Sequence, residues 1–316
     1  MMMRHAAQIV TIAFLVVFAA GSALAHPGSG IVVDRSGNVF VLDTGSGLWK
    51  VDRSHLLTHV ADPRFHWMAL DERNWPRESR LPSPAGGEIA AIGSSPTLLV
   101  SGDVPLAVGS DAAIYYPEAG ADGRLRIVRA TRSGARSVRA ILPANGTRGP
   151  RWINGLAAAP DGSLYYTEDK ALRKIDGRGV VTTLAENVSV NDCRAIPGME
   201  AGAGPYLRGL AVAGDGTVLV AASGCGAVLK VTPRGEMTTV LRTTSPWSPT
   251  AVAISPNRSM FLSTPTPPLR TAKPGSHECD ECFPTGTRPS LLRYRDRNQS
   301  RSARGGLAGR AGLTAA

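Results

Sequence analysis

Apolar and polar positions alternate along this chain in short bursts separated by turn residues. "GIVVDRSGNVFVLD" (Gly30–Asp43) reads as an apolar strand, a polar turn over Asp34–Asn38 and a second strand. "GLAAAPDGSLYYTE" (Gly155–Glu168) and "GLAVAGDGTVLVAA" (Gly209–Ala222) repeat the pattern. In all three a glycine opens the unit and a second falls seven residues on, at Gly37, Gly162 and Gly216. Asp-Gly type turns between alternating runs are strong hairpin signals, because glycine tolerates positive φ. Looser copies start at Pro105 ("PLAVGSDAAIYYPE"), Ala251 ("AVAISPNRSMFLST") and Trp67 ("WMALDERN"), the last losing its second strand in an insertion.

A third strand-like segment follows most hairpins: "LWKVD", "LRIVR", "LRKID" and "VLKVT". A fourth comes next: "LLTHV", "VRAIL", "VTTLA" and "MTTVL". Each unit therefore reads as four antiparallel strands, with starts at residues 30, 67, 105, 155, 209 and 251. Repeats of about 40 residues with four strands each are the signature of a β-propeller. Helix signals are almost absent. The expectation is an all-β chain, a six-bladed β-propeller of four-stranded antiparallel blades in one domain over residues 26–296.

The ends read differently. Arg4 and His5, the apolar run Ile9–Ala20 and small residues at Ala23 and Ala25 make residues 1–25 a signal peptide cleaved after Ala25. A membrane span needs about 20 apolar residues, which this run does not supply. The mature protein is expected to be secreted or periplasmic, without stable membrane insertion. The sixth unit deteriorates after Phe261: Ser263–Ser290 carries too many prolines for central strands. "LLRYR" (Leu291–Arg295) offers a third strand, and residues 297–316 read as a disordered basic tail. No clear closing strand follows Arg295.

Net charge is +10, but the arginines are scattered, no helix carries a basic stripe, and aromatics are 5% of the chain. That reads as a solvated surface on a monomer, with no nucleic-acid partner. There are four cysteines. An exported chain with an even count invites pairing, and a Cys193–Cys225 bridge is expected to pin the insertion that holds Cys193. Cys279 and Cys282 form a lone CxxC, open to a local disulfide, two idle thiols or half a metal site. No nucleophile elbow, His-Glu-x-x-His helix or phosphate loop occurs.

"GIVVDRSGNVFVLDTGSGLWKVD" resembles an NHL repeat, and "WINGLAAAPDGSLYYTED" resembles the senescence-marker-protein/gluconolactonase family. The resemblance extends to about Ile254. It implies the six-bladed fold and, for the lactonases, a divalent cation such as Ca²⁺ or Zn²⁺. That cation is held by an early Glu, one or two Asn and an Asp before a Gly. Asn154 matches the Asn position and is the metal candidate. Arg208 stands where the Asp is expected and Ser29 near the Glu. The rim carboxylates Asp43, Glu118 and Glu168 are the remaining ligands from which a metal site would be rebuilt.

Inner strands of a propeller line its channel, so the residues before each unit start ring one mouth: Ser29, His66, Val104, Asn154, Arg208 and Thr250, with Glu168 near the same rim. Trp67 and Trp247 supply apolar walls. Arg208 offers a planar fork of donors suited to carboxylate or phosphate. Loops on a rigid propeller are where binding is built, and Glu186–Tyr206 precedes Arg208 and is expected to overhang the mouth. The site predicts a binding module for a small anionic ligand, a glycan or a partner protein. The alternative is a metal-dependent hydrolase of the gluconolactonase/esterase type with a degenerate site. A third arrangement, Arg208 paired with Glu168 or another rim carboxylate, seals the channel.

Overall fold

The computed structural model describes residues 30–44, 46–74, 88–93, 96–144, 152–168, 170–193, 204–244, 247–255, 258–265 and 292–296. The expected signal peptide, Ser29, Cys279, Cys282 and the expected basic tail lie outside them.

The chain is an all-β propeller with four-stranded antiparallel blades. Four sheets have the expected order: β1 (Gly30–Val33), β2 (Val39–Asp43), β3 (Gly47–Val51), β4 (Leu57–Ala61); β8 (Ala107–Val108), β9 (Ile114–Ala119), β10 (Leu125–Ala130), β11 (Arg136–Ile141); β12 (Gly155–Ala158), β13 (Leu164–Glu168), β14 (Ala171–Ile175), β15 (Val181–Ala185); and β16 (Leu207–Val212), β17 (Val218–Ala222), β18 (Ala227–Val231), β19 (Met237–Arg242). The expected hairpins hold their register, with Gly155 opposite Thr167 and Gly30 opposite Leu42.

Two sheets correct the expectation of four strands throughout, having three each among the described residues. In one, β20 (Trp247–Ser255) pairs with β21 (Arg258–Pro265), and β22 (Leu292–Asp296) joins as the third strand. In the other, β5 (Trp67–Asp71), β6 (Ile89–Ile92) and β7 (Thr97–Ser101) lie in the order β5-β7-β6. The second strand is not lost in the insertion; it follows it. The reason is burial on two faces. β7, "TLLVS", is buried at all five positions and fits between two strands. β6, "IAAI", alternates towards exposure and takes the outside.

The inner strands stand side by side in the order β1, β5, β8, β12, β16, β20, and β20 packs back against β1. A separate apolar core fills each gap between neighbouring sheets. Central strands such as β17, "VLVAA", are buried throughout because both faces meet a neighbouring sheet. Each inner strand is the edge of its sheet. Backbone edges and flanking side chains such as Leu106, Leu156, Leu210 and Val252 therefore line an axial cavity of ≈ 270 Å³.

Candidate binding site at the channel mouth

The starts of the inner strands converge at one mouth. β12 and β16 come so close that a Cβ on Gly155 would lie 2.6 Å from the Arg208 carbonyl oxygen. Only glycine fits there. The buried Thr167 hydroxyl, at the end of β13, donates to that same carbonyl at 2.7 Å. β16 then takes an irregular register between Leu207 and Leu210, and β20 does so between Pro249 and Ala251. Such bulges re-aim side chains at the ends of sheets.

Asn154 sits at the centre of the constellation. Its backbone N–H donates to Thr167 O at 2.9 Å and its Nδ2 donates to Leu207 O at 3.0 Å. Its Oδ1 accepts from the Tyr206 hydroxyl at 3.4 Å, and its carbonyl accepts from Trp67 Nε1 at 3.4 Å. The Arg208 guanidinium lies 5.9 Å from the centroid of the Tyr206 ring, within cation–π range. His66 stands edge-on to Trp67 with ring centroids 5.6 Å apart, and its backbone N–H donates to Ser101 O. Thr250, on the neighbouring inner strand, is buried, and its hydroxyl has no hydrogen-bond partner among the described residues.

Arg208 is buried, and that burial pushes its guanidinium below its ordinary pKa, while Tyr206 acts in the opposite sense. A guanidinium stays protonated in proteins, so the mouth carries a desolvated cation. Desolvation makes an anionic partner at such a group far more favourable than in water.

The structure joins Asn154 and Arg208 through Tyr206, which the sequence reading missed, and places Thr250 beside Gly209; His66 meets this group only through its neighbour Trp67. The one signal for Tyr206 was its position two residues before Arg208. Val104 donates its backbone N–H to the Ser101 hydroxyl at the same end of the ring. Glu168 is buried with Arg173 Nε 3.8 Å away. The other rim carboxylates are tied locally: Asp43 accepts from the backbone N–H and hydroxyl of Ser46, and Glu118 from Arg136.

The cation site implied by the lactonase resemblance does not fit these residues. Both ends of the Asn154 amide are engaged by protein groups, and a guanidinium stands on the adjoining strand. A hard cation needs several oxygen ligands, mostly carboxylate. Among the described residues no group of three or more His, Cys, Asp or Glu forms a metal-holding cluster.

The expected Cys193–Cys225 disulfide is present, with Cα atoms 4.7 Å apart. It joins the insertion to a 3-10 turn at Ser223–Cys225. That turn holds the mouth: Gly224 N–H donates to Pro205 O at 3.0 Å and Ser223 N–H to Tyr206 O at 3.1 Å. The Ser223 hydroxyl donates to Pro249 O, and Ser248 donates its hydroxyl back to Ser223 O at 2.8 Å. The approach to Arg208 and the approach to Thr250 thus hang on one covalently pinned turn. A disulfide fits an extracellular protein. Among the described residues no helix is long and apolar enough to cross a membrane.

No protein-family model matches the chain, and neither does any curated protein sequence. Solved propellers do resemble it. Virginiamycin B lyase from Staphylococcus aureus is 16% identical at a TM-score of 0.44, covering 76% of this chain and 78% of its own. Regucalcin from Agrobacterium tumefaciens, described as a calcium-binding protein, is 16% identical at a TM-score of 0.47, covering 75% and 83%. Identities and overlaps of this size say nothing of activity, and the propeller rests on its own sheets.

Proposed function

We propose that the six sheets close as six blades of an NHL-type ring, and that the exported protein is a binding module for a small anionic ligand at the β12–β16–β20 mouth. The observation that carries this reading is the buried Arg208 side chain against the Tyr206 ring, next to Asn154 and to a Thr250 hydroxyl that has no hydrogen-bond partner among the described residues. A buried cation favours a carboxylate, which can take two parallel N–H donors from the guanidinium fork. Of the expected occupants, a glycan or a partner protein draws less on such a group. The metal-dependent hydrolase reading draws no support from the donor set.

The test is calorimetric titration of the residue 26–316 chain with benzoate and with gluconate. At least one should bind, and Arg208→Gln should weaken that binding roughly 10- to 100-fold, the range for a hydrogen bond to a charged group. Unchanged affinity in a folded Arg208→Gln protein would overturn the reading.

A further inference from the structure

Every inner strand has one paired edge and one edge that faces the axis, because each stands last in its own sheet. Across the axis these edges enclose the cavity of ≈ 270 Å³. The hairpin turns fix which backbone groups point into it. Asp34 N–H donates to Asn38 O, Ala159 N–H to Ser163 O and Ala213 N–H to Thr217 O. Antiparallel pairing alternates between hydrogen-bonded and non-bonded residues. Counting back from those bonds, Val32, Ala157 and Ala211 turn their N–H and C=O towards the second strand of the blade. Ile31 and Val33, Leu156 and Ala158, and Leu210 and Val212 turn theirs the other way, into the cavity that they line.

Among the described residues no other strand or side chain bonds to these groups. Backbone N–H and C=O groups inside a protein need partners. The partner called for here is uncharged. Among the described residues no ionisable side chain lines the cavity. Each axis-facing residue presents an N–H beside a C=O, so a bare ion of either sign meets as many opposing dipoles as favourable ones. A hydroxyl suits both, accepting from the N–H and donating to the C=O. Water does this singly. A molecule with several hydroxyls does it repeatedly, and releases several ordered waters while only one body is fixed.

We infer that the axial cavity is a second binding site, for a small neutral polyol held by the inner-strand backbone. It does not draw on Arg208 and stands independently of the anion reading above.

Ethylene glycol, glycerol, erythritol and n-butanol should be compared by ligand-observed NMR titration of the residue 26–316 chain. Affinity should rise with each added hydroxyl. n-Butanol, with erythritol's carbon skeleton and a single hydroxyl, should fall well below it. Ala158→Pro deletes one axis-facing N–H and leaves the β12–β13 ladder whole, a change that an edge strand accepts. It should weaken erythritol about 2- to 10-fold, the range for one neutral hydrogen bond, and a retained cooperative melt checks the fold. Crystals grown with erythritol should show it on the axis against Leu156 and Leu210. n-Butanol binding as tightly as erythritol, erythritol indifferent to a folded Ala158→Pro protein, or water alone on the axis would overturn the inference. If Ala158→Pro does not fold, the crystal result decides it.

Discussion

The two ends of the inner strands are built by different means. At the far end, each strand turns back through a local device. Asp34, Asp161 and Asp215 accept backbone N–H groups two or four residues on, and Gly37, Gly162 and Gly216 take φ near +80°. The backbone bonds of those turns all close within five residues of sequence. At the mouth the reverse holds. Asn154 bonds to Leu207, Thr167 to Arg208, Tyr206 to Ser223, and Ser223 to Pro249. The far end also has a cavity, of ≈ 350 Å³, between the β8–β11 and β12–β15 sheets. Its charges are matched in place: Asp111 accepts from Arg129 at 2.8 Å and from the Tyr115 hydroxyl at 3.0 Å. Local closure makes a scaffold. Long-range closure makes a site, because it places side chains from distant parts of the chain around one point.

The largest break in this contrast should come from the disulfide. Replacing Cys193 and Cys225 together by Ala removes a crosslink across a sequence separation of 32. The chain-entropy model puts the loss at roughly 3–4 kcal/mol, measurable by chemical denaturation. Ligand affinity should fall as well, since the turn that fixes Pro205, Tyr206 and Pro249 is freed. Stability loss with untouched affinity would show that the pinned turn does not organise the mouth.

The second break sets two glycines against each other. Gly155→Ala places a methyl group against the Arg208 carbonyl and should cost about 1–3 kcal/mol by overpacking, with weakened binding. Gly162→Ala meets no atom within 4 Å but carries a φ of +80°. It should cost about 1–2 kcal/mol, the left-handed penalty for an L-residue, with binding intact. Equal effects on affinity would dissolve the distinction between the two ends.

The same contrast explains what could be read in advance. The hairpins were legible because their turn chemistry is local: Gly37, Gly162 and Gly216 show the pattern without any tertiary partner. The Cys193–Cys225 pair was legible because an even cysteine count in a chain expected to be exported invites pairing, and Cys193 stands in the insertion just before the unit whose strand-linking turn holds Cys225. The order β5-β7-β6 was not, since "TLLVS" and "IAAI" differ in burial on a second face that only the neighbouring sheet supplies. His66, Asn154, Arg208 and Thr250 could be placed at one mouth by counting to the strand starts. What each does there could not. The Asn154 amide looked like a metal ligand and is instead committed to Leu207 and Tyr206. Asp43 and Glu118 looked like rim carboxylates and are held by Ser46 and Arg136. Tyr206 carried no motif, and its place follows from contacts with Asn154 and Arg208 that only the fold supplies.

Acid should separate the two ends by the smallest margin. Backbone N–H groups, from Val180 to Asp176 and from Thr217 to Asp215, hold these turn carboxyls below the usual carboxylate range. A carboxyl whose folded pKa is depressed contributes stability above its unfolded pKa, near 3.9. That contribution is lost as pH falls through the lower folded value. Melting temperature should therefore be flat above about pH 5 and decline below about pH 4. Asp176→Asn with Asp215→Asn should shallow that decline. Arg208 keeps its charge across the whole window, so the mouth should lose a bound carboxylate only as the ligand itself protonates. Titrating benzoate and a permanently charged aryl sulfonate side by side at pH 4 checks this. The sulfonate should hold its affinity while benzoate weakens. A parallel loss of both would mean that acid reaches the mouth through the protein, and that the long-range site is no better insulated than the turns beneath it.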